Sequence, residues 1–166
     1  MSRREDLAWV AGVFDGEGCI SLSRRAPQKG SRSLNPSYRL ILKVAMCHES
    51  TIKKLRGICD GVGSIHVQRL QHIYFSPSWI WFCNAGDAEH VIKMIQPWLT
   101  TKAKEADVAL QFCEHVKQVY EFRGGRGGSK PMPAAIIKKR ERFYIKLRNL
   151  KSRNRAKDKL ATLERR

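Results

Sequence analysis

Acidic side chains are scarce in this chain: 15 Asp and Glu stand against 32 Lys and Arg, a formal net charge of +17 at pH 7. Like charge on this scale is tolerated most easily beside a polyanion, and nucleic acid is the commonest one. An acidic membrane surface or a ribosomal setting is the alternative. Long apolar runs are missing too, with no signal-peptide core near the start and no stretch long enough for a membrane span. The expectation is an intracellular protein with no membrane partner, its compartment (organelle, prokaryote or phage host) left open. Cysteines are few, odd in number and scattered (Cys19, Cys47, Cys59, Cys83, Cys113), with no C-x-x-C pair, which fits reduced thiols used as small core residues. Zinc is set aside, because Cys47-His48 is the only close Cys/His pair. Disorder is excluded by a hydrophobic content of 42%, and 166 residues suffice for one domain, or one with an appendage.

Periodicity supplies the elements. Leu7, Val10, Ala11 and Phe14 recur at helical spacing, and Glu5 and Asp6 suit a helix N-terminus, so a first helix is expected over Glu5 to Phe14. Cys19 to Arg25 and Tyr38 to Met46 alternate as strands on either side of a Pro/Gly/Ser-rich loop. A short helix over Glu49 to Ile58, a Gly61-Val62-Gly63 turn, and strands over Ser64 to Leu70 and Trp79 to Asn84 follow. Ala88 to Leu99 and Lys104 to Phe122 read as helices, the second with Ala106, Ala109, Leu110, Cys113, Val116, Val119 and Tyr120 as its buried stripe. This order predicts an α+β fold with an antiparallel sheet.

Three segments divide the chain. Residues 1–123 form the folded core, 124–133 a Gly-rich basic linker, and 134–166 a basic, helical extension. The extension carries 13 Lys and Arg against 3 acids, a net +10. Ile136, Phe143, Leu147 and Leu150 give it a helical apolar stripe, so docking on the core and a solvated basic tail both remain open. In either case its charge suits phosphate contacts outside the base-reading surface.

Chemistry concentrates in Val10-Ala11-Gly12-Val13-Phe14-Asp15-Gly16-Glu17-Gly18. Ala11 and Gly12 remove bulk from one flank of the helix, which suits a close helix pair. Asp15 and Glu17 emerge where the helix ends, with Gly16 and Gly18 giving torsional freedom for the exit. Acids at a helix C-terminus are opposed by the macrodipole and need a compensating cation, for which a hard divalent ion such as Mg²⁺ is suited.

This nonapeptide resembles the signature of the LAGLIDADG homing endonucleases. The element order, the Gly61-Val62-Gly63-Ser64-Ile65 entry to the third strand, and Gln96-Pro97-Trp98-Leu99 followed by Lys102 extend the likeness over roughly residues 5 to 122. Val10, Val13 and Phe14 replace the name-giving apolar letters, and the second acid is Glu. The resemblance implies an αββαββα core whose four-stranded antiparallel sheet forms a DNA-binding saddle. It implies a site-specific endonuclease, intron-encoded and cutting both strands across the minor groove with Mg²⁺ or another divalent cation such as Mn²⁺. Glu17 and Lys102 become the catalytic residues, with Glu17, Gly16 and Asp15 at the metal. One motif only is present, so the resemblance implies a homodimer on a long near-palindromic site, with Ala11, Gly12 and Asp15 at its interface. Just after the second strand, where the family often has a polar residue such as Gln, stand Met46, Cys47 and His48.

By alternation, Ser21, Ser23, Arg25, Arg39, Lys43, His66 and Gln68 are candidates for base edges or phosphates, and Arg24, Lys29 and Arg32 for phosphate. For Trp79 and Trp81, aromatic packing is favoured over DNA contact. Two other readings remain, an intron RNA maturase, which the linker and tail would suit, and a non-cleaving nucleic-acid-binding protein of the same fold. Retention of Asp15 and Glu17 on a surface facing phosphate argues against the latter.

Overall fold

A computed structural model describes residues 2–27, 35–68, 77–122 and 132–163, with side chains through Ser152. Helix α1 (Arg3–Glu17) is started by a capping box in which Ser2 Oγ accepts from the Glu5 backbone and Glu5 returns a carboxylate to the Ser2 N–H at 2.9 Å. It runs three residues beyond the predicted end. Strands β1 (Gly18–Arg25) and β2 (Ser37–Met46), helix α2 (Glu49–Ile58), strands β3 (Ser64–Gln68) and β4 (Ser78–Asn84), and helix α3 (Ala85–Ile95) follow. A 3-10 turn (Gln96–Trp98), α4 (Ala103–Phe122) and α5 (Ala134–Leu163) complete the chain. The four strands form one antiparallel sheet in the order β1-β2-β4-β3. The expected α+β architecture is thus observed.

Alternation works as the sequence suggests on one sheet face. Ile20 and Leu22 of β1, Leu40, Leu42 and Val44 of β2, and Trp81 and Cys83 of β4 are all buried, and the helices cover them. Trp81 meets Phe14 of α1 edge to face at 5.9 Å and donates its indole N–H to the Val62 carbonyl at 3.0 Å. Trp81 therefore belongs to the core, and Trp79 packs beside it. Met46 does the same, which removes it from the open sheet face.

Glycine is required at two points by close approach. A Cβ at Gly63, whose φ is +79°, would lie 2.7 Å from the Phe82 carbonyl and 2.7 Å from the Trp81 indole nitrogen. At Gly18, where α1 passes directly into β1, it would lie 2.7 Å from the Phe14 carbonyl. Gly18 has an ordinary extended φ of −77° and Gly16 lies within the helix, so space and not torsional freedom explains the sharp exit.

Helix α4 is buried more broadly than predicted, because α3, α5 and β1 all pack on it. Glu105, Val108, Phe112 and His115 join the expected stripe, whereas Tyr120 is exposed. Helix α5 is docked, with Leu147 buried and Phe143 against Phe112 at 6.0 Å. Cys59, Cys83 and Cys113 are core residues whose thiols burial pushes up to about 12. Cys19 is half-buried and Cys47 exposed, so those two are not core. Most of the linker lies outside the described residues. Met132 at its end donates its backbone N–H to Asn35 at 2.7 Å. No helix among the described residues is long and apolar enough to cross a membrane.

Candidate functional site

The last turn of α1 contains no basic residue, although its unpaired carbonyls carry partial negative charge. The cation comes from the loop before α4. Lys102 donates its ammonium to the Asp15 carbonyl, and Thr101 Oγ1 donates to the same oxygen at 3.3 Å. The Asp15 carboxylate accepts from the Thr100 N–H at 2.7 Å, from Thr101 Oγ1 at 2.9 Å and from the Lys102 N–H at 3.0 Å. Partial burial pushes this carboxyl up, but the hydrogen bonds from Thr100, Lys102 and Thr101 outweigh it and hold the group below its ordinary value. This corrects the expectation for Asp15 as a metal ligand and as a dimer contact. Its oxygens are turned to its own chain, where they tie α1 to the start of α4. Thr100 and Thr101 went unnoticed in the sequence, though hydroxyl residues just before a helix are the usual sign of an N-terminal cap.

Glu17, two residues on, is exposed and has no hydrogen bond or ion pair among the described residues. Lys102, held on the turn that ends at Glu17, is thereby brought to the same end of α1. The Gly16 carbonyl belongs to this turn, one of the last four whose acceptors lack helical donors. No group of three or more His, Cys, Asp or Glu able to hold a metal occurs among the described residues.

Along the exposed side of α1, Ala8, Gly12 and Gly16 follow one another at four-residue spacing, and a Cβ added at Gly12 or Gly16 would meet nothing within 4 Å. Ala11 lies about 100° around the helix from Gly12 and is wholly buried in the chain's own core. The expectation that Ala11 lines a dimer contact is corrected accordingly. Ala8, Gly12 and Gly16 are exposed on the open side of the helix.

Residues opposed across antiparallel strands share a face, so the register assembles the open side of the sheet. Ser21 faces Ile41, Ser23 faces Arg39, and Lys43 lies between Cys19 and Phe82. His66 stands opposite Ile80, and Gln68 opposite Ser78. Ser21, Ser23, Arg25, Arg39, Lys43, His66 and Gln68 therefore share one surface. It also carries half-buried Ile41, which alternation puts beside Arg39 and Lys43, and half-buried Ile80 and Phe82, which the alternation argument overlooked. Arg24 is corrected: it projects to the helix side, where its guanidinium pairs with Glu141 of α5 at 3.0 Å, and Tyr38 also bonds Glu141. Lys29 and Arg32 lie outside the described residues.

No family model and no curated protein matches the sequence. Solved structures do match the fold. The homing endonuclease I-CvuI, in complex with its target in the presence of calcium, superposes with a TM-score of 0.69 at 16% identity, covering 89% of this chain and 83% of that one. An archaeal intron-encoded homing endonuclease, I-Vdi141I, complexed with DNA, gives 0.69 at 8% identity over 90% and 86% of the two chains. The LAGLIDADG homing endonuclease I-GzeII, in complex with its DNA target, gives 0.61 at 12% identity over 86% of this chain but 43% of its own. The chain thus has the LAGLIDADG homing endonuclease fold, its four strands in the order β1-β2-β4-β3.

Proposed function

We propose that this chain is a site-specific, divalent-metal-dependent DNA endonuclease that acts as a homodimer on a long near-palindromic site, intron-encoded as I-Vdi141I is described to be. The observation that carries the reading is the exposed carboxylate of Glu17 at the end of α1, with the Lys102 ammonium on the same turn and the polar sheet face alongside. On a chain of net charge +17 this acid has no partner among the described residues, and phosphate would repel it unless a cation lay between them.

The donors fit a hard cation. The Glu17 carboxylate and the Gly16 carbonyl are oxygen ligands of the kind Mg²⁺ and Mn²⁺ prefer, and the equivalent acid of a second copy would complete the set. I-CvuI has been crystallised with DNA in the presence of calcium and of magnesium. When bound, the cation would activate a water nucleophile and offset charge at phosphorus. Lys102 holds its charge at the same turn, where it would stabilise a non-bridging oxygen as negative charge develops. Its tether to the Asp15 carbonyl fixes that position before substrate arrives.

Pairing of two α1 helices along Ala8, Gly12 and Gly16 would bring both Glu17 side chains to one axis and extend the two sheets to either side. A two-fold reader of this kind sees inverted half-sites, hence the near-palindrome, and each copy would cut one strand, across the minor groove as the resemblance implies. Ser21, Ser23, Arg25, Arg39, Lys43, His66 and Gln68 would contact base edges or phosphates along the major groove of each half-site.

The test is cleavage of candidate intron-insertion loci with Mg²⁺, using the full chain and Glu17→Gln. Cleavage is expected to vanish in the variant while binding to the site stays within a few fold, and Lys102→Met should slow cutting without loss of binding. Metal-dependent cutting by Glu17→Gln would remove Glu17 from the centre.

A further inference from the structure

Most cations described with a partner on this protein meet an acid: Lys53 with Glu49, Lys93 and Lys117 with Glu89, Arg3 with Asp60 and Arg24 with Glu141, at 2.6 to 3.0 Å. Lys151 of α5 departs from this pattern. Its half-buried ammonium rests on Cys19 Sγ at 2.9 Å, and sulfur is a weak acceptor that leaves the charge poorly compensated. Cys19 is the second residue of β1, two positions after Glu17, and its cross-strand partner is Lys43, which is exposed. Among the described residues no carboxylate pairs with Lys43 or Lys151.

The position of Lys151 is set by the docking of α5. Leu147 lies one turn before it on the same face and is buried, and Glu141 anchors the helix to Arg24 and Tyr38 at the far end of β1. From that anchor α5 runs along the edge strand β1 toward the catalytic end. Cys19 thus has two lysines as neighbours, Lys43 as its cross-strand partner on β2 and Lys151 of α5 at its thiol, neither paired with a carboxylate among the described residues.

We propose that Lys151 and Lys43 form a clamp for a backbone phosphate of the strand cut at Glu17, which makes α5 part of the cleavage centre. This rests on the endonuclease reading above. A phosphate oxygen would replace the thiol as the acceptor for Lys151 and bridge to Lys43, fixing the strand on the side away from Lys102.

The experiment uses the full chain, Lys151→Gln and Lys151→Arg, titrated with random-sequence duplex DNA at several salt concentrations. Lys151→Gln should lower the log-log salt slope of binding by about 0.9 per protomer, the value for one lost phosphate contact, with Tm unchanged, and Lys151→Arg should restore the slope. In a Cys47→Ser chain, duplex DNA should slow alkylation of Cys19 by iodoacetamide several-fold. An unchanged slope, a slope change accompanied by an equal fall in Tm for both variants, or unshielded Cys19 overturns the clamp. Neither readout needs cleavage. A chain that cuts DNA while its slope ignores Lys151 refutes the clamp alone, and one that shows the clamp yet never cuts refutes the endonuclease reading.

Discussion

Replacement of Asp15 by alanine separates a structural acid from a catalytic one. The substitution removes three acceptor contacts, to Thr100, Thr101 and Lys102, at 2.7 to 3.0 Å. Charge-assisted hydrogen bonds contribute about 1.5 to 3 kcal/mol each when sheltered, and solvent at this half-open turn puts them at or below the lower end. Removing an acid from a helix C-terminus returns about 0.3 to 1 kcal/mol. The expected net loss is about 2 to 3 kcal/mol, which for a chain of this size lowers Tm by roughly 4 to 12 °C. Calorimetry of both proteins from neutral to acid pH checks the cause as well as the size. Because the folded carboxyl titrates below its ordinary value of 3.8, its stabilisation is complete above that pH and is lost as pH falls through the lower folded value. The gap in Tm should therefore be full at neutral pH and close only in strong acid. Equal Tm values at neutral pH, or a gap that persists once the carboxyl is protonated, would refute the bonding assigned to Asp15.

Gly12→Leu should leave the protomer folded, since nothing lies within 4 Å of a Cβ there, and should cost the dimer about 1 to 3 kcal/mol by overpacking. Sedimentation velocity should show monomer with unchanged circular dichroism, and a wild-type protein that is monomeric on its DNA would refute the symmetric arrangement. Leu147→Ala empties a buried contact under α5 and should cost about 2 to 5 kcal/mol, read as a fall in the denaturation midpoint. A midpoint that does not move would mean that α5 contributes nothing to the stability of the core.

The secondary structure was legible because short-range rules govern it. β2 and α2 fall almost where alternation and helical spacing put them, and the two buried strand stripes are those the sequence shows. The positions of Glu17 at the end of α1 and of the polar stripe from Ser21 to Gln68 on one sheet face were legible by motif and by period. Helix α4 departed from the single-stripe reading because three neighbours cover it, and coverage depends on which elements meet.

What the order of residues determined by itself was the set of local choices: element type, which side of each strand is apolar, and the placement of an acid at a helix end beside glycine. These follow from steric and hydrophobic periods that act within a few residues. The partners were decided only by the fold. Asp15 and Lys102 are 87 positions apart, Arg24 and Glu141 are 117 positions apart, and Cys19 and Lys151 are separated by 132 positions. No periodicity relates such pairs, because their proximity is set by how the helices pack across the sheet. That packing turned Asp15 and Arg24 from site residues into fasteners, buried Ala11 in the chain's own core, and carried Lys151 to the beginning of β1.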